Sequence, residues 1–325
     1  MVLVGLADNA HDSNLSVWKD GKFRYAKYER ESGKKHARAP ANWFWNTLNS
    51  WYIEEKDVKA FAYVEPHKYY RRNKSNTWLA FHPAPFFGEH YLTKEHVPHG
   101  WNGIFSHLKN KHYYLLDHHY CHFFSNTTSQ ASDNAIISDT GGSNNHKTLI
   151  LGTNSSPIRH TDIVSSGRLL FLLGDKMGIK GDETDVIGKI MGLQAYGEAD
   201  ETLVDKWVLR GRFGADKLYE WIKNLEINAS VENPAWLNII TSVFEIGYHY
   251  QKQLFETLNK DKKIFYSGGI ALNVNWNRKI LDQGFKLSIE PHVYDGGLSL
   301  GCLRFLGHKY GIDIKISDFP YVQDD

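Results

Sequence analysis

His118 and His122 stand four residues apart in the run Asp117-His118-His119-Tyr120-Cys121-His122, a spacing that puts both imidazoles on one helical face, one turn apart. Two imidazoles so placed can grip a single metal ion. Cys121 lies between them, but at ~100° per residue its side chain points about 60° or more away from that face, so it is not counted as a third ligand. Glycine-punctuated segments recur along the chain at Asp139-Thr140-Gly141-Gly142, Gly188-Lys189-Ile190-Met191-Gly192, Ser267-Gly268-Gly269 and Asp295-Gly296-Gly297. They bring the carboxylates and backbone donors that metal and phosphate chemistry needs.

Such groups must be positioned by regular elements, and the sequence predicts a mixed α/β set. Val2 to Leu6 is apolar, Asn14 to Trp18 and Phe23 to Tyr28 alternate, and Lys19-Asp20-Gly21-Lys22 between them signals a type I′ turn. A three-strand meander follows, whose first turn carries Asp8, His11 and Asp12 at a hairpin tip. The design returns with Ala135 to Ser138, a glycine- and asparagine-rich turn from Asp139 to Asn145, and Thr148 to Leu151. The chain is therefore expected to be duplicated in architecture, though not in literal sequence.

Two lobes, 1–130 and 131–325, are expected to enclose a cleft, with successive turn amides forming an anion nest for phosphate. In the second lobe Asn233-Pro234 marks a helix start, followed by an apolar face from Trp236 to Leu258. Lys263 to Tyr266 reads as a buried strand that feeds a helix, Ile270 to Leu281, through Gly268-Gly269. Two glycines there let the backbone approach a phosphate and aim a helix N-terminus at its charge. Leu287 to Glu290, Asp295-Gly296-Gly297 and a helix from Leu298 to Tyr310 repeat the device.

The totals exclude some classes. A chain of 325 residues with 42% apolar composition can bury a large core, and its net charge of +1 argues neither for nor against a polyanion partner. No run approaches the ~18 apolar residues of a membrane span, and the start shows no charged region with a cleavage site, so a cytoplasmic protein without membrane association is expected. The two cysteines make no disulfide framework. Between the lobes, 65–103 reads as an insertion. Basic residues are interleaved there with rings, and Tyr69, Tyr70, Arg71 and Trp78 form a candidate acceptor-binding surface that could hold phosphates and stack bases.

Taken in order, His11-Asp12, Glu29-Arg30 with Lys35-His36 and Pro40, His118-x-x-x-His122, Asp139, the stretch from Gly188 to Gly197, the stretch from Gly268 to Asn273, and the stretch from Asp295 to Gly301 resemble the O-carbamoyltransferases of antibiotic and nodulation-factor biosynthesis. Their catalytic domain is similar to the tRNA threonylcarbamoyladenosine transferase. The resemblance covers nearly the whole chain and implies the actin-like, hexokinase-like (ASKHA) bilobal fold, with two RNase H-like lobes. His11-Asp12 and Lys35-His36 favour the carbamoyltransferase branch. Gln194 stands where that family usually has alanine. Family members carry a second, YrdC-like domain that makes carbamoyladenylate, and this chain ends at Asp325; either a separate YrdC-like protein is expected to activate the donor or one compact cleft does both.

The resemblance implies that His118, His122 and Asp295 hold a divalent metal, with Asp139 as a further ligand. The resemblance favours iron, and a mixed imidazole and carboxylate set suits a borderline transition metal better than calcium or magnesium. His11 is the candidate general base, since imidazole titrates near neutral pH, while Lys35 and His36 would hold and polarise the carbamoyl group. Gly141 and Gly142, Gly192, Gly268, Gly269 and Asn273 would contact ATP or carbamoyladenylate, and Lys189 is a weaker candidate. The expected reaction moves a carbamoyl group from carbamoyl phosphate to a hydroxyl acceptor, either a hydroxymethylpyrimidine of DNA or a nucleotide, or a small natural product or sugar. A threonylcarbamoyl transferase acting on tRNA is the further alternative.

Overall fold

The computed structural model describes residues 1–8, 11–64, 89–92, 112–126, 134–142, 147–152, 158–160, 165–211, 214–314 and 316. It divides into two compact units, the first made of 1–130, 142–144 and 290–325 and the second of 131–141 and 145–289.

The first unit opens with the expected meander: β1 (Val2–Ala7), β2 (Asn14–Lys19) and β3 (Lys22–Lys27) pair antiparallel. At the β2–β3 turn Asp20 and Gly21 take φ of 48° and 85°, the two positive values a type I′ turn requires. Helices α1 (Tyr28–Ser32) and α2 (Ala41–Ser50) follow. Next, β4 (Val58–Val64) pairs parallel with β1, β5 (Glu89–Leu92) precedes β6 (His112–Leu116), and α3 (His118–Ser125) closes this stretch. The sheet order is β3-β2-β1-β4-β6-β5. Every residue of β1 is buried, as expected of a central strand covered on both faces. Trp43, Phe44, Trp51 and Phe61 pack with Val4 and Leu6 on one side. β5 falls within the expected insertion and pairs antiparallel with β6.

The second unit repeats the plan. β7 (Asn134–Ser138), β8 (Thr148–Leu151) and β9 (Ile158–His160) form an antiparallel meander. Helices α4 (Ser166–Lys176), α5 (Glu183–Leu193), α6 (Glu201–Val208), α7 (Ala215–Lys223) and α8 (Pro234–Phe255) come next. Asn233 caps α8 by accepting the Ala235 amide, with proline in the first turn as the sequence suggests. β10 (Lys263–Ser267) then pairs parallel with β7, α9 (Val274–Asp282) follows, and β11 (Lys286–Ser288) pairs parallel with β10. The order β11-β10-β7-β8-β9 repeats the first five strands of the other sheet, β3-β2-β1-β4-β6: a meander, then two successive parallel strands beyond its first strand, with antiparallel β5 the one strand of the first sheet that has no counterpart among the described residues. The expected duplication is therefore present in the sheets.

Two expectations need correction. The single helix from Ile270 to Leu281 is instead a 3-10 turn, Gly269–Leu272, followed by α9, whose N-cap is Asn273. The tight turn completes Ala271 N–H to Gly268 O at 2.9 Å, so the glycine pair opens a turn and not the long helix. The second unit also stops at Ile289 instead of running to Asp325. The reason is α10 (Leu298–Tyr310), which belongs with β1 and α3 in the first unit. At Gly301 a Cβ would overlap the Cys121 carbonyl, so only glycine lets α10 approach α3 so closely.

Candidate metal and proton-transfer site

Within the first unit α3 begins at an N-cap, Asp117, whose carboxylate accepts the His119 and Tyr120 amides at 2.9 and 3.3 Å. The cap fixes the first turn, and the one-turn spacing then sets the two rings side by side. His118 Nε2 and His122 Nε2 are 3.2 Å apart, and both rings are buried. Asp295 Oδ1 lies 3.5 Å from the first and 3.4 Å from the second. Cys121 turns the other way, its Sγ 3.6 Å from Cys302 Sγ in the α3–α10 packing.

Asp295 is held through its backbone by residues far away in sequence. The Asn14 side chain donates to the Asp295 carbonyl at 3.0 Å and accepts the Ser299 amide at 2.9 Å. The Tyr25 hydroxyl donates to the Gly296 carbonyl at 2.8 Å. His292 Nε2 meets the Ser125 carbonyl at the end of α3 at 2.8 Å, tying the approach to Asp295 onto the helix that carries the histidines. Burial pushes the His292 pKa down, with partial relief from that hydrogen bond.

The trio fits a divalent transition ion. With bonds of ~2.1 Å, donors at a right angle are about 3.0 Å apart and tetrahedral donors about 3.4 Å; the separations found here, 3.2, 3.4 and 3.5 Å, cluster about the tetrahedral value. A proton can bridge only one pair of these three atoms, whereas a cation satisfies all three lone pairs at once.

Beside the trio lies a second cluster. Asp12, almost wholly buried and at φ 55°, has Oδ2 at 2.8 Å from both His11 Nδ1 and His36 Nδ1. His36 is at φ 54°; two non-glycine residues held in the left-handed region and bonded to each other mark a strained, over-determined corner. Lys27 closes β3 with its Nζ 2.7 Å from Asp12 Oδ1 and 3.1 Å from Glu29 Oε2. Glu29 Oε2 also accepts the His36 amide at 2.7 Å. Burial alone would raise the Asp12 pKa, but hydrogen bonds from His11 and His36 and the Lys27 charge hold it well below the usual carboxylate range. Burial would likewise lower the Lys27 pKa, yet the Asp12 charge leaves it pushed up to about 12. His11 Nε2 reaches to 3.8 Å from Asp295 Oδ2, which joins the two clusters. Asp8, the third ionisable group of the first turn, pairs instead with Ser13 Oγ at 2.9 Å and Arg38 Nε at 3.3 Å.

The structure thus brings His11, His36, His118, His122 and Asp295 together, and adds Asp12, Lys27, Asn14, Tyr25 and His292, to which the sequence reading assigned no role. Lys35 is exposed, and the buried ammonium of this corner belongs to Lys27. A period-two reading of β3 offers one signal, because Tyr25 and Lys27 share a strand face and both reach the Tyr294–Gly296 turn. Gly142 lies against His119, whose ring a Cβ would overlap. Tyr69, Tyr70, Arg71 and Trp78 lie outside the described residues.

The second unit carries the other candidates. Asp139 follows β7; its Oδ1 accepts the Thr140 amide at 2.7 Å, and a Cβ on Gly269 would come within 3.2 Å of that oxygen. Gly268 is at φ 92°, where a Cβ would overlap the Ser138 carbonyl. Gly141 continues the same β7 loop. Asn273 is buried; its Oδ1 accepts the Trp276 amide at 3.1 Å, and its Nδ2 has no partner among the described residues. A Cβ on Gly188 or Gly192 would meet nothing within 4 Å among the described residues, so their packing does not require either glycine. Lys189 reaches the Lys180 carbonyl at 3.1 Å in an exposed setting, and the Gln194 carbonyl accepts the Thr241 hydroxyl at 2.8 Å.

Comparison with protein-family models and with curated proteins finds no match. Among solved structures the chain is similar to component A of the (R)-2-hydroxyglutaryl-CoA dehydratase of Acidaminococcus fermentans, at 12% identity over 96% of this chain and 99% of that one, with a TM-score of 0.52. It is also similar to full-length HypF in its phosphate- and nucleotide-bound form, at 11% identity and a TM-score of 0.51, covering 97% of this chain and 56% of that one. The fold is actin-like. Its two mixed sheets are those of the ASKHA class that the sequence suggests. Among the described residues no helix is long and apolar enough to cross a membrane.

Proposed function

We propose that the protein is an O-carbamoyltransferase, using carbamoyl phosphate or carbamoyladenylate as donor and a hydroxymethylpyrimidine of DNA or a nucleotide as acceptor. The observation that carries the reading is the 3.8 Å approach of His11 Nε2 to Asp295 Oδ2, which sets an imidazole base beside a three-donor metal site. Carbamoyl transfer needs both: a positive centre for charge developing on the donor, and a base for the acceptor hydroxyl. His118, His122 and Asp295 would hold a divalent transition ion, iron in this proposal, and when bound it supplies Lewis-acid stabilisation of donor oxygens.

The protein groups then do the following. His11 takes the proton as the acceptor oxygen forms its bond to the carbamoyl carbon, and the bond from that carbon to the leaving phosphate oxygen breaks with its electron pair going to phosphate. His36 orients the carbamoyl group. The Asp139 loop, Gly268, Gly269 and Asn273 bind the nucleotide; the buried Asn273 Nδ2, without a partner among the described residues, supports this, because an orphaned donor calls for a ligand acceptor.

The test is mass analysis after incubation with carbamoyl phosphate, ATP and ferrous ion, alongside either hydroxymethylpyrimidine nucleotide and DNA or small sugars. A gain of one carbamoyl unit on the pyrimidine supports the proposal; a gain only on sugars moves the acceptor to the small-molecule class, and no gain on either overturns carbamoyl transfer.

A further inference from the structure

We infer that Lys27 is a positioning residue that sets the tautomer of both His11 and His36 by way of Asp12. Its geometry stands independently, while its use in catalysis rests on the proposed carbamoyl transfer. A buried lysine is rare unless paired. Lys27 is 5% exposed, with Asp12 Oδ1 at 2.7 Å, Glu29 Oε2 at 3.1 Å, the Tyr294 hydroxyl at 3.4 Å and the Tyr294 ring centre at 4.8 Å.

With Oδ1 engaged by the ammonium, Asp12 presents Oδ2 to both rings at 2.8 Å. An ionised carboxylate only accepts hydrogen bonds. Each ring must therefore carry a proton on Nδ1, and in the neutral ring that leaves Nε2 with its lone pair. One carboxylate thus prepares two acceptor nitrogens, where the usual arrangement prepares one. Without the Lys27 charge, burial would favour the neutral carboxyl. A neutral carboxyl donates to Nδ1 of one ring, which places that ring's own proton on Nε2, so that this nitrogen can no longer act as a base.

Asp12, His11 and His36 also form a group with metal-ligand potential, but the geometry points away from a second ion. Their 2.8 Å separations are hydrogen-bond lengths, and the ammonium 2.7 Å from the shared carboxylate would repel a cation placed there.

The experiment is long-range proton–nitrogen NMR of protein labelled with nitrogen-15 histidine, with the two rings assigned by His11→Gln and His36→Gln. Wild type should show both in the Nδ1–H form. Lys27→Arg should keep that pattern and retain turnover within about threefold. Lys27→Met should move at least one ring to the Nε2–H form and lower kcat about 100-fold, with KM for carbamoyl phosphate changed less than about threefold. An Nε2–H ring in wild type, or an unchanged pattern in Lys27→Met, overturns the assignment. Should Lys27→Met fail to fold, Lys27→Gln, which removes the charge and keeps a hydrogen-bond donor, is read in the same way: a ring moved to the Nε2–H form supports the assignment and an unchanged pattern overturns it. Should no carbamoyl transfer be found in wild type, the spectra still decide the role of Lys27 while the proposed function falls.

Discussion

Asn14 and Asp295, separated by 281 positions in sequence, are joined by a 3.0 Å hydrogen bond from the Asn14 side chain to the Asp295 carbonyl. The same Asn14 accepts the Ser299 amide at 2.9 Å, so one side chain anchors both the carboxylate's turn and the start of α10. Removing it leaves a buried donor and a buried acceptor unpaired. Asn14→Ala should cost about 1–3 kcal/mol of stability and, by loosening Asp295, lower ferrous-ion affinity about tenfold. Chemical denaturation and metal titration measure the two effects. Unchanged affinity in a destabilised variant would show that Asn14 serves the fold alone.

Removing one of the three donors is the more direct test of the metal site. His118→Ala should weaken ferrous-ion binding by more than about 100-fold, beyond the loss typical of outer partners. The helix should survive, because its cap is Asp117 and not the ring. Calorimetric titration, with circular dichroism as the control for folding, reads both. Full metal binding in this variant would remove His118 from the ligand set.

The parts legible in the sequence are those with a local signal. The type I′ turn at Asp20-Gly21, the strands around it and α10 follow from short-range pattern, and the His118/His122 pair follows from helical spacing. Asp295 entered through a motif resemblance. The alternation of β3 sets Lys27 beside Tyr25 without naming its partner, and Asn14 and His292 carry no local signal at all, since the partners Asp12, Asp295 and Ser125 come from other elements and only tertiary packing brings them near. Asp12 sits in a quoted motif, yet its sharing between two rings depends on the backbone strain at Asp12 and His36, which propensity does not encode. The second unit's early end has the same origin: the chain returns to the first unit because Gly301 permits the α10–α3 approach.

The Asp12–Lys27 pair makes a pH prediction with a definite sign. Asp12 has a folded pKa below its ordinary 3.8, so its contribution to stability is present above that value and is lost as pH falls through the depressed one. Lys27 is raised from 10.5 to about 12, so its contribution is complete below 10.5 and is lost as pH climbs through about 12. The network should be intact from about pH 5 to pH 9. Thermal unfolding should show Asp12→Asn well below wild type at neutral pH, with the gap narrowing below about pH 4. A constant gap across that range would mean that the Asp12 charge does not contribute.

Asn273 separates a structural role from a binding one, because its two polar atoms do different things. Oδ1 caps α9 by accepting the Trp276 amide, and Nδ2 is the buried donor with no partner among the described residues. Serine caps helices about as well as asparagine but has no amide donor. Asn273→Ser should therefore keep stability within about 0.5 kcal/mol, while Asn273→Ala costs about 1 kcal/mol. Both should weaken ATP binding about tenfold, as expected when a ligand acceptor loses its buried partner. Denaturation curves and nucleotide titration on the same two variants supply the comparison. If Asn273→Ser binds ATP like wild type, Nδ2 faces no nucleotide and the residue is a helix cap only; if it binds weakly while folding normally, the orphaned donor is accounted for by the ligand.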